Sequence, residues 1–191
     1  MDNMETQFDI ENVLKSGKLK NELDYQRALI ADRKLRVLGK ENYRLKRLRS
    51  QLRDIIEQYE NKNWSDDSNI DSKKIHESDL SELIAEKERL FIQKRKDLIK
   101  NELKKKNLTQ QNLGLILGHK SKTYMSELMN GVSPFTLNDL IVINRLLKID
   151  LTDLVPTTLS HIQRVAISRS IEKIGSEKLK LSMDDFDLAF A

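Results

Sequence analysis

Between Lys106 and Pro156, residues that start and stop helices recur so closely that only short helices fit between them. Thr109 is a good N-cap, because its side-chain oxygen can accept from a backbone N–H that the first turn leaves unpaired. It opens Gln110-Gln111-Asn112-Leu113-Gly114-Leu115-Ile116-Leu117, which Gly118 closes as a residue that tolerates positive φ. Ser121 caps the next stretch, in which Met125, Leu128 and Met129 are expected to face inward and Asn130-Gly131 to end the helix. Thr136 caps a further helix carrying Leu137, Leu140, Ile141, Ile143, Leu146 and Leu147, and Leu151-Thr152-Asp153-Leu154-Val155 completes a core. The segment predicts four short helices, with a glycine-containing turn between the first two and a polar outer side on the second.

Elsewhere the chain is free to run in long helices, since its 191 residues hold only six Gly and two Pro. From Leu19 to Tyr59 the apolar residues keep helical spacing. Leu38, Leu45, Leu52 and Tyr59 recur every seven, with Leu48 and Ile55 as companions and Gly39 placed to split the region in two. An antiparallel helix pair or a dimerising coiled coil fits this pattern, so Leu45 and Leu52 are candidate partner-binding residues. Residues 61–78 read as a linker rich in Asn, Asp and Ser. Asp79 with Glu82 is placed to cap a helix whose stripe, Leu80, Leu83, Ile84, Leu90, Phe91, Leu98, Ile99 and Leu103, reaches Asn107. Past Pro156 the reading is one more helix over 158–174, ending at Gly175, and then a tail. Lys178-Leu179-Lys180-Leu181-Ser182 alternates like a short strand, and Phe186, Leu188 and Phe190 interleave with Asp184, Asp185 and Asp187. Large apolar side chains near a terminus usually dock on something, which makes Phe186 and Leu188 further candidate partner-binding residues. The divisions expected are therefore 1–60, 61–78, 79–156 and 157–191.

The net charge of +4 says less than its distribution. Arg33, Lys34, Arg36, Lys40, Arg44, Lys46, Arg47, Arg49 and Arg53 face a single acid, Glu41, within one span. Such a run is either a solvated helix face or a contact for a polyanion. The capped segment is itself nearly neutral, so phosphate attraction would have to come from its flanks or from dimerisation.

Several chemistries lack their residues. The chain has no cysteine, which removes disulfides, thiol catalysis and cysteine-ligated zinc. His76, His119 and His161 stand apart from any spaced carboxylate or second His, so no metal or cofactor site is expected. Asp67, Asn69 and Asp71 begin like a calcium loop, but Ser72 and Ser78 stand where Gly and Glu are required. No phosphate-binding glycine loop occurs and no catalytic constellation is evident. There is no apolar run of membrane-spanning length and no signal-peptide pattern at Met1-Asp2-Asn3-Met4-Glu5, so a cytosolic protein is expected.

The run LTQQNLGLILG…SELMNG…TLNDLIVINRLLKIDLTDLV resembles the phage-repressor (Cro/cI, XRE-type) helix-turn-helix family over residues 95–156. The resemblance rests on Leu108-Thr109-Gln110, Gly118, Asn130-Gly131 and the closing Leu-x-x-Leu. Between Gly118 and Gly131 there is one residue more than the usual repressor spacing. With Met125 and Leu128 inward, the extra residue falls in Gly118-His119-Lys120. A second resemblance, to HigA-type antitoxins, involves LKNELDYQRAL, the helical stretch to Tyr59-Glu60, and KSK…SELMNG…PFTL. Together these imply an all-α chain: a lambda-repressor-like helix-turn-helix domain with an N-terminal long-helix region and a short C-terminal extension. The implied function is a sequence-specific DNA-binding transcriptional repressor that autoregulates its operon and neutralises a small basic ribonuclease toxin.

On that reading Ser121, Lys122, Thr123 and Tyr124 form the first turn of the recognition helix. Lys122 is suited to guanine O6 and N7, and Thr123 and Tyr124 offer hydroxyls or apolar contact with a thymine methyl. Glu127, one turn on, is suited to accept from cytosine. The family places Gln110 near phosphate or a base, and Lys120 and Asn130 on phosphate. A homodimer would set two such helices one turn of double-stranded operator DNA apart. Two alternatives stay open: a phage-type or chromosomal regulator without a toxin, and a protein-binding adaptor.

Overall fold

The computed structural model describes residues 8–66, 68, 70–156 and 161–175, with the backbone alone for 161–164. The described residues are all-α. Their helices are α1 (Ile10–Ser16), α2 (Glu22–Leu38), α3 (Tyr43–Asn63), α4 (Ser72–Lys105), α5 (Gln110–Ile116), α6 (Lys122–Asn130), α7 (Leu137–Leu147), α8 (Leu151–Leu154) and α9 (His161–Ile174). No helix among them is long and apolar enough to cross a membrane. The expected strand at 178–182, together with Phe186 and Leu188, lies outside the described residues.

Gly39 does split the N-terminal apolar run. It lies so close to the end of α2 that a Cβ there would sit 2.7 Å from the Leu35 carbonyl oxygen, which only glycine avoids. Asn42 caps α3 with its side chain, and the short connection turns α3 back along α2. The stripe expected to recruit a partner is spent inside the chain. Leu45 is 3% exposed and Leu52 is 0% exposed, both packed with Ile10, Leu19, Ala28, Ala31, Leu35, Ile55 and Ile56. Leu45 and Leu52 are therefore core residues of a helical hairpin and not a surface for another molecule. Apolar groups bury against the nearest complementary stripe, and α2 supplies one within the same hairpin.

Polar contacts at the far end fix the hairpin. The Tyr25 and Tyr59 rings stack with centroids 5.0 Å apart. Tyr25 Oη donates to Glu60 at 2.7 Å, and Tyr59 Oη donates to buried Glu22 at 3.2 Å. Trp64 Nε1 and Ser78 Oγ also donate to Glu22, which ties the chain after α3 and the first turns of α4 onto α2. This corrects the expected linker. Helix α3 extends to Asn63, and α4 starts at Ser72 under the Asp71 cap, so residues 72–78 are helical and Asp79 caps nothing.

Helix α4, 34 residues long, serves two cores. Its first half lies along α2, with Ser81 and Ala85 buried. Its second half carries Ile99 and Leu103 into a cluster with Leu113, Met125, Leu128, Met129, Phe135, Leu140, Ile143, Leu147, Ile149 and Leu154. This second core holds α5 to α8 together.

Candidate nucleic-acid interface

Local chemistry sets the α5–α6 pair. Thr109 and Asn112 form a reciprocal capping box at the start of α5. Gly118 takes φ 81°, the left-handed conformation that its place after the helix predicts. Gly114 lets the two helices close up, because a Cβ there would meet the His119 carbonyl oxygen at 3.1 Å and Met125 Cγ at 3.4 Å. The connecting turn is pinned: His119 N–H donates to the Gly114 carbonyl at 2.7 Å, and its Nε2 lies 3.1 Å from Asp139 Oδ1. Asp139 meanwhile accepts from Thr136 N–H, so one buried carboxylate both caps α7 and anchors the turn before α6.

Ser121 caps α6 by accepting from Tyr124 N–H at 3.1 Å. Met125, Leu128 and Met129 are buried, at 1%, 0% and 1% exposure, as the sequence predicts. Lys120, Ser121, Lys122 and Thr123 are exposed at the N-terminal end of the helix. Tyr124 is half-buried, edge-on to the His119 ring at 5.2 Å. Burial first, then the carboxylates of Asp139, Glu127 and Glu11, raise its hydroxyl above the ordinary value, which keeps it protonated as a donor. Gln110, the first residue of α5, is half-buried.

Two of the expected contact residues are engaged inside the chain. Glu127 is 1% exposed. Arg44 of α3 donates to both its carboxylate oxygens, at 2.7 and 2.8 Å, and also to Glu11 at 2.6 Å. Ser133 Oγ donates to Glu127 as well, and Val132 packs into the N-terminal core. Asn130 accepts from Lys96 Nζ of α4 at 2.7 Å and donates to the Ser126 carbonyl at 2.8 Å. Glu127, expected at a base edge, is a buried ion-pair acceptor, and Asn130, expected on phosphate, bridges α6 to α4. Arg44 belongs to a basic run whose charge was legible, but no spacing relates residue 44 to residue 127.

The basic run divides by use. Arg44 is held by Glu127 and Glu11, and Arg49 pairs with Asp32 at 2.8 Å. Arg33, Arg36, Lys40, Lys46, Arg47 and Arg53 are exposed. An open groove of about 990 Å³ between α2 and α3 is lined by both signs of charge, Arg36, Lys46, Arg49 and Arg53 together with Asp32, Asp54, Glu57 and Glu60. Comparison with family models, with curated proteins and with solved structures finds no match to this chain.

Proposed function

We propose that this protein is a sequence-specific DNA-binding repressor in which the end of α4 together with α5 to α8 forms a phage-repressor-like helix-turn-helix unit. The observation that carries this reading is the first turn of α6. Lys122 and Thr123 stand exposed beside Lys120 and Ser121, on a short helix whose opposite side is sunk in a fixed core. A helix held that way can present its N-terminal residues to base edges in a major groove. Lys122 suits guanine O6 and N7, Thr123 suits a thymine methyl, and Lys120 suits phosphate. The six exposed cations of α2, α3 and the turn between them add salt-sensitive attraction that does not depend on sequence. Two copies, with their α6 helices roughly 34 Å apart, would read a palindrome. Fluorescence anisotropy tests this with the DNA immediately upstream of the coding sequence against random duplex. A large specific preference that weakens steeply with salt is expected, and equal binding to both duplexes defeats the reading.

A second reading, the HigA-type antitoxin, is favoured by one observation. Leu80, Leu83 and Leu90 of α4 are 43%, 53% and 52% exposed, on a helix that also carries Asp79, Glu82 and Glu86. Exposed leucines flanked by acids suit a small basic protein such as a ribonuclease toxin. Coexpression with the neighbouring gene product should give a complex that Leu83→Asp with Leu90→Asp abolishes. A complex retained by that variant moves the contact elsewhere.

A further inference from the structure

The face of α6 that would enter DNA is already occupied. In a helix with 100° between successive residues, Met125, Leu128 and Met129 define the inward face. The opposite face holds Thr123, Ser126, Glu127 and Asn130, with Glu127 one turn beyond Thr123. A helix lying in a groove needs residues from successive turns of that face. Here the second turn is covered by Arg44 of α3, which grips Glu127 through both oxygens, and by Lys96, which holds Asn130. Val132, just past α6, is 4% exposed and is packed in the core of the α1–α3 unit. The covering cluster also offers phosphates no net attraction, because Glu127 and Glu11 balance the charges of Arg44 and Lys96.

We propose that α1–α3 is a built-in mask: the N-terminal unit and DNA compete for the outward face of α6, and the Arg44–Glu127 contact holds the masked state. This rests on the DNA-binding reading above. In such a system DNA is bound from the unmasked fraction, so apparent affinity is reduced by how rarely that fraction occurs. Loosening the mask must therefore tighten binding even when it removes a positive charge.

Arg44→Gln deletes a cation, so simple attraction to phosphate predicts weaker binding, whereas unmasking predicts binding about five- to tenfold tighter, within the usual range of coupling between sites. The probe is a labelled duplex of the DNA immediately upstream of the coding sequence, with random duplex as control. Amide hydrogen exchange over 122–130 gives a second readout and should quicken in the variant without DNA. If Arg44→Gln leaves Glu127 unpaired and the protein does not fold, Arg44→Gln with Glu127→Gln carries the same test. It leaves net charge unchanged and places two neutral amides in contact, so tighter binding again means unmasking. Folded variants that bind as the wild type does, or more weakly, overturn the mask while leaving the DNA reading intact. Failure of the wild type and both variants to prefer the upstream duplex overturns the DNA reading, and the mask with it.

Discussion

The guanidinium of Arg95 donates from Nη1 to the carbonyl oxygen of Leu154 at 3.1 Å, joining the long helix α4 to the last turn of α8. Arg95 is 3% exposed, with its guanidinium 5.3 Å from the Phe135 ring centroid and 5.9 Å from that of Phe91. Burial lowers its pKa to about 10, still far above neutrality, so a full charge sits in this core. Two aromatic faces and the carbonyl at the end of α8 stabilise it there.

Replacing that side chain tests how much of the C-terminal core hangs on it. Arg95→Ala should cost roughly 2–3 kcal/mol, since it strands a buried carbonyl and empties the space between two rings. Arg95→Met, which fills the volume without a charge to desolvate, should cost clearly less. Urea unfolding followed by circular dichroism measures both. Equal losses would mean that the charge, and not the packing, holds α8.

Leu52→Ala should destabilise the protein by about 2–5 kcal/mol, as a deletion in a filled core does. Sedimentation of the folded variant should give the same oligomer as the wild type, because Leu52 faces α2 of its own chain. A change of oligomer without loss of stability would return the seven-residue stripe to a partner.

Stability should climb with pH on the mildly alkaline side because of Lys34. Burial first, then the charges of Arg89, Arg95 and Lys96, opposed by Glu86, lower its pKa to about 8 from 10.5. Between those values the unfolded chain holds a proton that the folded chain has released, so stability rises across that window and is flat below it. Lys96, also lowered by burial, works in the same direction. Tyr25 and Tyr59, raised by burial, work against folding only once the unfolded tyrosines ionise near pH 10. Melting temperatures between about pH 7.5 and 9.5 should therefore rise in the wild type and stay flatter in Lys34→Met. Parallel curves would show that Lys34 is not the group responsible.

Lys122→Ala should cost roughly 1–3 kcal/mol on the upstream duplex and relax the preference at one base position. Competition binding against single-base variants of the site measures this. A uniform loss on specific and random duplex alike would place Lys122 on phosphate and shift the register of α6.

Much of the local structure was written in short-range chemistry. Thr109, Ser121 and Thr136 cap the helices they precede because each hydroxyl lies within reach of an N–H three residues on. Gly118 and Gly131 take positive φ where the helices stop. Met125, Leu128 and Met129 point inward because an apolar face three and four residues apart has one side to bury. These are one-dimensional facts, decided by neighbours along the chain, and the capped segment and its exposed first turn followed from them.

What the sequence could not supply was the destination of each face. A stripe of leucines does not say whether its complement lies in the same chain or in another, and the four-residue turn at Gly39–Asn42 gave Leu45 and Leu52 to α2. A polar run such as 72–78 reads as linker until Ser78 is within reach of Glu22. Glu127 reads as a surface acid until Arg44 meets it, 83 positions apart, at 2.7 Å. Caps, turns and inward faces were determined by the sequence alone because their partners lie within a few residues. Which charges are spent and which outward face stays open were decided only by tertiary packing, because a carboxylate is satisfied by whichever cation the fold brings to it.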